Sequence, residues 1–182
     1  MHRRISSQII WWACLLSALF VFQAQAQPQP EAGGEASPAT DAAMYEGGFH
    51  IGNLLPNQIA GVTEIVGLGG VRLGARIAPL TYAEAGLITG NGHGASWKNA
   101  HVDVRMDIPV ENLVGMAYIG VDTVYYETTS RSAQVLFGGH VGGGLMAHFS
   151  GNVWFRGDMK FSFSPGTSLY VGFGLVIRLP DK

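Results

Sequence analysis

The feature that most constrains this sequence is an alternation of apolar residues with smaller or polar ones over long segments. Every second residue from Leu169 to Leu179 is aliphatic or aromatic, and the odd positions of residues 153–163 follow the same pattern except at Gly157. In residues 100–108 the even positions are apolar. Successive side chains of a strand point to opposite faces, whereas a helix repeats about every 3.6 residues. The alternation therefore predicts β-strands, and each run has about the 9–11 residues that a tilted strand needs to cross a bilayer.

Turn-forming residues divide the chain into alternating segments of similar length. Clusters of Gly, Pro, Asn and Ser between such segments are typical of antiparallel hairpins. We predict strands at residues 44–53, 67–77, 81–89, 98–108, 113–125, 132–147, 152–163 and 168–179. Residues 54–66 are interpreted as a long connection, or as an extension of the second strand past a bulge at Gly69 and Gly70. The predicted fold is all-β, a single antiparallel up-and-down transmembrane barrel of about eight strands.

The polar face of the strands distinguishes a membrane barrel from a soluble one. Apart from histidines, it carries six acids and six bases: Glu46, Arg72, Arg76, Glu84, Asp103, Arg105, Asp107, Asp122, Arg156, Asp158, Lys160 and Arg178. Only 13% of the whole chain is charged, against about 25% in ordinary globular proteins. Such a balanced, glycine-rich set suits a confined interior, because unpaired buried charges are very costly. We therefore predict a lumen filled by paired charges, without a wide pore; a soluble periplasmic barrel with the faces exchanged is the alternative.

The aliphatic face is the one that contact with lipid requires. Aromatic residues near strand ends are candidates for the belts that form at membrane interfaces. They are Tyr45, Trp97, Tyr125, Phe149, Trp154, Phe163 and Tyr170.

The amino-terminal segment indicates export. A basic start, an apolar run over residues 9–22 and the sequence Ala24-Gln25-Ala26 predict a signal peptide over residues 1–26. Residues 27–43 lack large apolar side chains and are predicted to be a disordered periplasmic tail, which leaves residues 44–182 for the barrel. Cys14 is the single cysteine and lies in the signal peptide. We therefore expect no disulfide, cysteine nucleophile or thiolate metal site in the mature protein.

Signal peptide, strand count, alternation and last strand together resemble the OmpA- and OmpX-like outer-membrane barrels, over residues 44–179. In that family a glycine and hydrophobic residues three and five positions later form an assembly signal, which Gly174, Ile177 and Leu179 match. The family usually ends on an aromatic residue, whereas this chain ends at Lys182. The resemblance implies location in the cell outer membrane, contact with its lipid and lipopolysaccharide, and insertion by the barrel-assembly machinery. We also expect a monomer.

Local motifs offer little catalytic chemistry. His148 and Ser150 resemble the His-x-Ser pair of lipid A deacylases, but they fall at a predicted periplasmic turn and are interpreted as turn residues. His50, His101 and His140 are predicted to point inward, where they could bind a metal. We interpret them instead as members of a polar network, with no metal and no cofactor.

The sequence thus favours a non-enzymatic barrel with a structural or surface-interaction role in the envelope. Two alternatives stay open, a lipid A-modifying enzyme and a narrow small-solute channel. A nucleic-acid partner is not expected, because the net charge is −2 and no basic patch is visible.

Overall fold

A computed structural model describes residues 43–92 and 94–179 of the chain. The predicted signal peptide and nearly all of the predicted tail lie outside the described residues. The strands are β1 (Tyr45–Asn57), β2 (Val66–Ala78), β3 (Thr81–Gly92), β4 (Ala95–Val110), β5 (Leu113–Thr128), β6 (Arg131–Ser150), β7 (Val153–Ser162) and β8 (Thr167–Leu179). Within these residues no helix is long and apolar enough to cross a bilayer.

The strands form one closed antiparallel barrel in up-and-down order. Each strand pairs with its neighbours in sequence, and β1 closes the sheet against β8 from Tyr45–Leu179 to Asn57–Thr167. Closure pairs every strand on both sides, so the sheet has no free edge strand. The predicted fold class is confirmed.

The two ends of the barrel differ in how the strands are connected. At one end, called the terminal end because β1 begins and β8 ends there, two-residue turns lie at 79–80, 111–112 and 151–152. Leu80, Glu111 and Gly151 have positive φ angles of 59°, 51° and 54°, as tight hairpin turns require. At the opposite end, called the loop end, the connections are residues 58–65, 93–94, 129–130 and 163–166.

The first connection differs from its prediction. Residues 54–57 belong to β1, residues 58–65 form a loop, and β2 begins only at Val66. The alternative in which residues 54–66 extend the second strand past a bulge at Gly69 and Gly70 is wrong, because both residues pair in regular register with β1 and β3. Leu54 instead continues the inward phase of β1 and is buried. The other predicted strands are correct in number and order, with several hairpins running a few residues further towards their turns.

The outer face of the barrel is apolar. Leu73, Phe137 and Phe149 are 70%, 78% and 72% exposed, and many other aliphatic side chains share this face.

The predicted aromatic belt is only partly correct. Tyr45, Phe149 and Phe163 are exposed, whereas Trp97, Trp154 and Tyr170 are buried. Trp97, Trp154 and Tyr170 occupy inward-facing positions of their strands. Alternation along a strand, rather than residue type, decides which face of the sheet a side chain joins.

Candidate functional site

The inward face of the strands brings most of the predicted charged residues together. Eleven of the twelve are buried; Arg76, on β2 near the terminal end, is half-buried. The buried eleven are Glu46, Arg72, Glu84, Asp103, Arg105, Asp107, Asp122, Arg156, Asp158, Lys160 and Arg178. Their contacts form two groups, which we call the arginine group and the histidine group.

The arginine group is centred on Arg105 of β4, which is fully buried. Its guanidinium donates to Glu46 of β1, Glu84 of β3 and Asp107 of its own strand. Glu84 also accepts a hydrogen bond from Arg156 Nη1 on β7 at 2.8 Å. A planar guanidinium with five donors can bind several carboxylates at once, which explains why arginine holds this position.

The remaining members extend the arginine group to both sides. Arg72 donates to Asp158 Oδ2 at 3.0 Å and to His50 Nδ1 at 3.1 Å. Towards the terminal end, Arg178 Nη2 donates to Asp107 Oδ2 at 2.8 Å and to the Tyr82 hydroxyl at 2.9 Å. Strands on different sides of the barrel are thereby joined through its interior.

The histidine group lies around His140 of β6. His140 Nδ1 is 2.9 Å from Asp122 Oδ2, and Nε2 is 2.5 Å from Asp103 Oδ1. Asp122 also accepts from Lys160 Nζ at 3.1 Å and from Asn99 Nδ2 at 2.9 Å. Both ring nitrogens thus face carboxylate oxygens, an arrangement that an imidazole with a proton on each nitrogen would satisfy.

Basic side chains meet carboxylates within each group. In the arginine group four arginines meet four carboxylates, and in the histidine group Lys160 and the His140 ring meet Asp103 and Asp122. Sequence reasoning matched six acids with six bases by counting Arg76. In the structure Arg76 is only half-buried, and the buried His140 ring contacts two carboxylates from other strands.

Glycines on the inward face make room for aromatic side chains from neighbouring strands. A Cβ at Gly86 would lie 2.5 Å from the His101 ring, and one at Gly142 would lie 2.3 Å from the Tyr118 ring. The Tyr118 hydroxyl thereby reaches Asp158 Oδ1 at 3.2 Å and the Met159 carbonyl at 3.0 Å.

An apolar cluster fills the interior at the loop end. Ile59 and Val62 of the loop are 4% and 5% exposed, although the residues around them are exposed. Gly61 of the same loop packs against Thr128 and Ser130 at the β5–β6 connection, so the loop crosses the mouth of the barrel. This loop-end cluster consists of Leu54, Ile59, Val62, Val66, Leu68, Ile88, Ala95, Trp97, Val124, Tyr126 and Tyr170.

A smaller apolar cluster lies towards the terminal end. It consists of Val114, Met116, Met146, Trp154 and Val176. The paired charges therefore lie in a lumen that apolar side chains fill towards both ends.

The histidines considered as metal ligands are arranged differently from a metal site. The rings of His101 and His140 are 5.9 Å apart, whereas His50 accepts a hydrogen bond from Arg72 and lies beside Tyr170. Across residues 43–92 and 94–179, no group of three or more His, Cys, Asp or Glu side chains is placed to hold a metal ion.

His148 is held by the turn that follows it. Its Nε2 donates to the Gly151 carbonyl at 2.9 Å, and its ring packs against Trp154 with the centroids 5.2 Å apart. Its imidazole is thus engaged with the turn backbone, although His148 and Ser150 themselves belong to the end of β6 rather than to the turn.

The residues matched to the family assembly signal lie on β8. Gly174 faces inward where β8 approaches β1 closely, since an added Cβ would lie 2.0 Å from the Phe49 carbonyl oxygen. Ile177 and Leu179 are 51% and 50% exposed on the outer face.

Comparison with known proteins finds similarity in structure only. Neither a protein-family model nor a curated protein matches the sequence. The N-terminal β-barrel domain of Pseudomonas aeruginosa OprF is similar with a TM-score of 0.60 and 11% identity, covering 74% of this chain and 97% of that domain. Neisserial surface protein A is similar with a TM-score of 0.63 and 9% identity, covering 74% of this chain and 96% of that protein. The chain has the fold of these small outer-membrane barrels, as the sequence resemblance implied.

Proposed function

We propose that this chain is a small outer-membrane barrel of a Gram-negative envelope, with a structural or surface-interaction role. One observation carries the proposal: paired charges are buried inside a closed sheet whose outer face is aliphatic. An apolar surface as extensive as this is costly in water and favourable in lipid. Closure also leaves no unpaired sheet edge in the hydrocarbon.

We propose further that the lumen forms no wide pore. Ion pairs cross the lumen between strands, and Ile59 and Val62 cover its mouth at the loop end. Eight strands enclose a space that side chains can just fill. The expected contacts of such a barrel are outer-membrane lipid and lipopolysaccharide, with the barrel-assembly machinery as a transient partner and a monomer as the mature form.

Heat-modifiable gel mobility tests the location and the closed barrel. The full chain is expressed in a Gram-negative host, and outer-membrane and periplasmic fractions are compared with and without boiling in SDS. We expect the protein in the outer-membrane fraction, with a different mobility when unboiled. A soluble periplasmic protein without a shift would show that the two faces have been exchanged.

Conductance and complementation test the role. In planar bilayers we expect no discrete conductance steps, and their appearance would favour the channel alternative. A strain lacking the protein should become more sensitive to SDS, and both the wild type and His148→Ala should restore resistance. If the wild type restores SDS resistance but His148→Ala does not, and lipid A acylation is altered in the variant strain, the enzyme alternative would be favoured.

A further inference from the structure

The histidine group has fewer permanent cations than carboxylates. Among the described residues, six carboxylates and five arginine or lysine side chains are buried in the lumen. The four arginines meet the four carboxylates of the arginine group, which leaves Lys160 as the buried base for both Asp103 and Asp122. A buried charge without a partner is very costly. The histidine group therefore favours one further positive charge beside its two carboxylates.

The ring of His140 lies where that charge is needed. Its Nδ1 is 2.9 Å from Asp122 Oδ2, its Nε2 is 2.5 Å from Asp103 Oδ1, and the residue is 1% exposed. A neutral imidazole donates from one nitrogen and carries a lone pair on the other. In either tautomer that lone pair would face a carboxylate oxygen. A second proton on the ring supplies both the missing donor and the missing positive charge.

The other titratable groups around His140 come from β4, β5 and β7. Lys160 on β7 donates to Asp122 Oδ1 at 3.1 Å. The ring centroids of His101 on β4 and Tyr118 on β5 are 5.9 Å and 6.2 Å from that of His140. Lys160 repels a second positive charge in the group, but two carboxylates in direct contact with the ring outweigh one ammonium group.

His50 on β1 is a histidine of the same lumen in the opposite surroundings. Its Nδ1 accepts a hydrogen bond from Arg72 Nε at 3.1 Å, a contact that requires a lone pair on that nitrogen. It is 2% exposed, so it is buried to the same degree as His140. The two rings differ in their partners, a cation for His50 and two anions for His140.

We propose that His140 is a proton-binding site of the lumen, and that its second proton links the carboxylates of β4 and β5 through the ring at neutral pH. Loss of this proton in alkaline medium leaves one carboxylate without its donor and the histidine group with uncompensated negative charge. The barrel therefore contains a pH-sensitive contact that holds at neutral pH and is released as the pH rises. The proposal concerns the interior alone and does not depend on the role of the barrel in the envelope.

The nitrogen chemical shifts of the imidazole rings test the proton directly. The protein is labelled with ¹⁵N and ¹³C, folded in detergent micelles, and each ring is assigned through bonds to its own backbone. At neutral pH we expect both ring nitrogens of His140 to show the shifts of protonated nitrogens. His50 should show one protonated and one unprotonated nitrogen. An unprotonated nitrogen in the His140 ring at neutral pH would overturn the proposal.

The dependence of stability on pH provides a second test. A histidine in an unfolded chain releases its proton at about pH 6.5. Above that pH, a folded chain that keeps the proton loses about a factor of ten in its folding equilibrium constant for each pH unit, until the folded chain releases the proton too. The stabilisation is therefore complete below about pH 6.5 and is lost as the pH rises. In urea titrations of the protein in lipid vesicles, we expect about a tenfold fall from about pH 7 to about pH 8.

Two variants show which histidine causes the fall. His140→Gln keeps a side chain that can donate to one carboxylate but has no titrating proton, so the fall should disappear. His50→Gln is the matched control at an equally buried histidine and should retain the fall. A wild-type stability that is constant over this pH range, or an equal fall in His140→Gln, would contradict the proposal. The ring shifts and the wild-type titration require no variant, so they decide the proposal even if His140→Gln does not fold.

Discussion

The charged groups and the loop-end cluster occupy the same lumen but stabilise it in different ways. Hydrogen bonds from Arg105 reach carboxylates on β1, β3 and β4, so they require particular strands to face one another. The loop-end cluster instead fills space with aliphatic and aromatic side chains, two of which come from the loop. We therefore expect the directional ion pairs to specify the arrangement of the strands, and the apolar packing at the mouth to tolerate rearrangement.

Glu84 provides the largest expected difference between the two regions. Its carboxylate accepts from Arg105 and Arg156 and lies 3.5 Å from Arg72, so Glu84→Ala leaves buried guanidinium charge uncompensated. We expect the free energy of unfolding to fall by about 3–5 kcal/mol. Urea titration of the protein folded in lipid vesicles measures this loss. Glu127→Ala, at an exposed acid on β5, is the control and should change the free energy little; equal effects of the two variants would show that the lumen charges are not coupled.

Ile59 in the loop tests the apolar region and should have a smaller effect. Ile59→Ala removes buried methyl groups from the loop-end cluster, but the loop can partly move into the space. We expect a loss of about 2 kcal/mol, at the low end for such a truncation. Ile65→Ala, in the same loop but at a side chain that is 54% exposed, is the matched control. A loss as large as that of Glu84→Ala would mean that the loop is as essential to the fold as the ion pairs.

Salt should have the smallest effect. Ions screen exposed charges strongly at about 1 M salt, where the Debye length is about 3 Å, but screen buried pairs much less. Because Arg105 and Glu84 are 0% and 2% exposed, raising NaCl from about 0.1 to about 1 M should change the unfolding free energy by less than roughly 0.5 kcal/mol. Stability measured at both concentrations decides this, and a marked loss at high salt would indicate that the lumen is open to ions.

The sequence was sufficient for the number and order of the strands and for the burial of eleven of the twelve predicted lumen charges, because alternation is a local property of the chain. It could not identify partners. Glu46 and Arg105 are 59 residues apart, and their contact depends on the register and closure of the whole sheet.

His140 and the loop show two further limits. The two carboxylate partners of His140 lie on β4 and β5, which no local pattern around residue 140 reveals. The inward positions of Ile59 and Val62 belong to a loop without periodicity, so their burial could not be inferred from alternation.

The hydrogen-bonded junction of β1 with β8 has a consequence for the timing of biogenesis. It joins the first strand to the last, and Asn57 meets a residue 110 positions further along the chain. A ribosome completes β8 after every other strand, so the first strand must wait for the last before the cylinder can close. During that interval the nascent polypeptide has two open flanks, and pairing over such a long separation is intrinsically slow. A chain whose β1 and β8 have not yet paired therefore keeps two sheet edges to which strands of other molecules can add, until closure removes both.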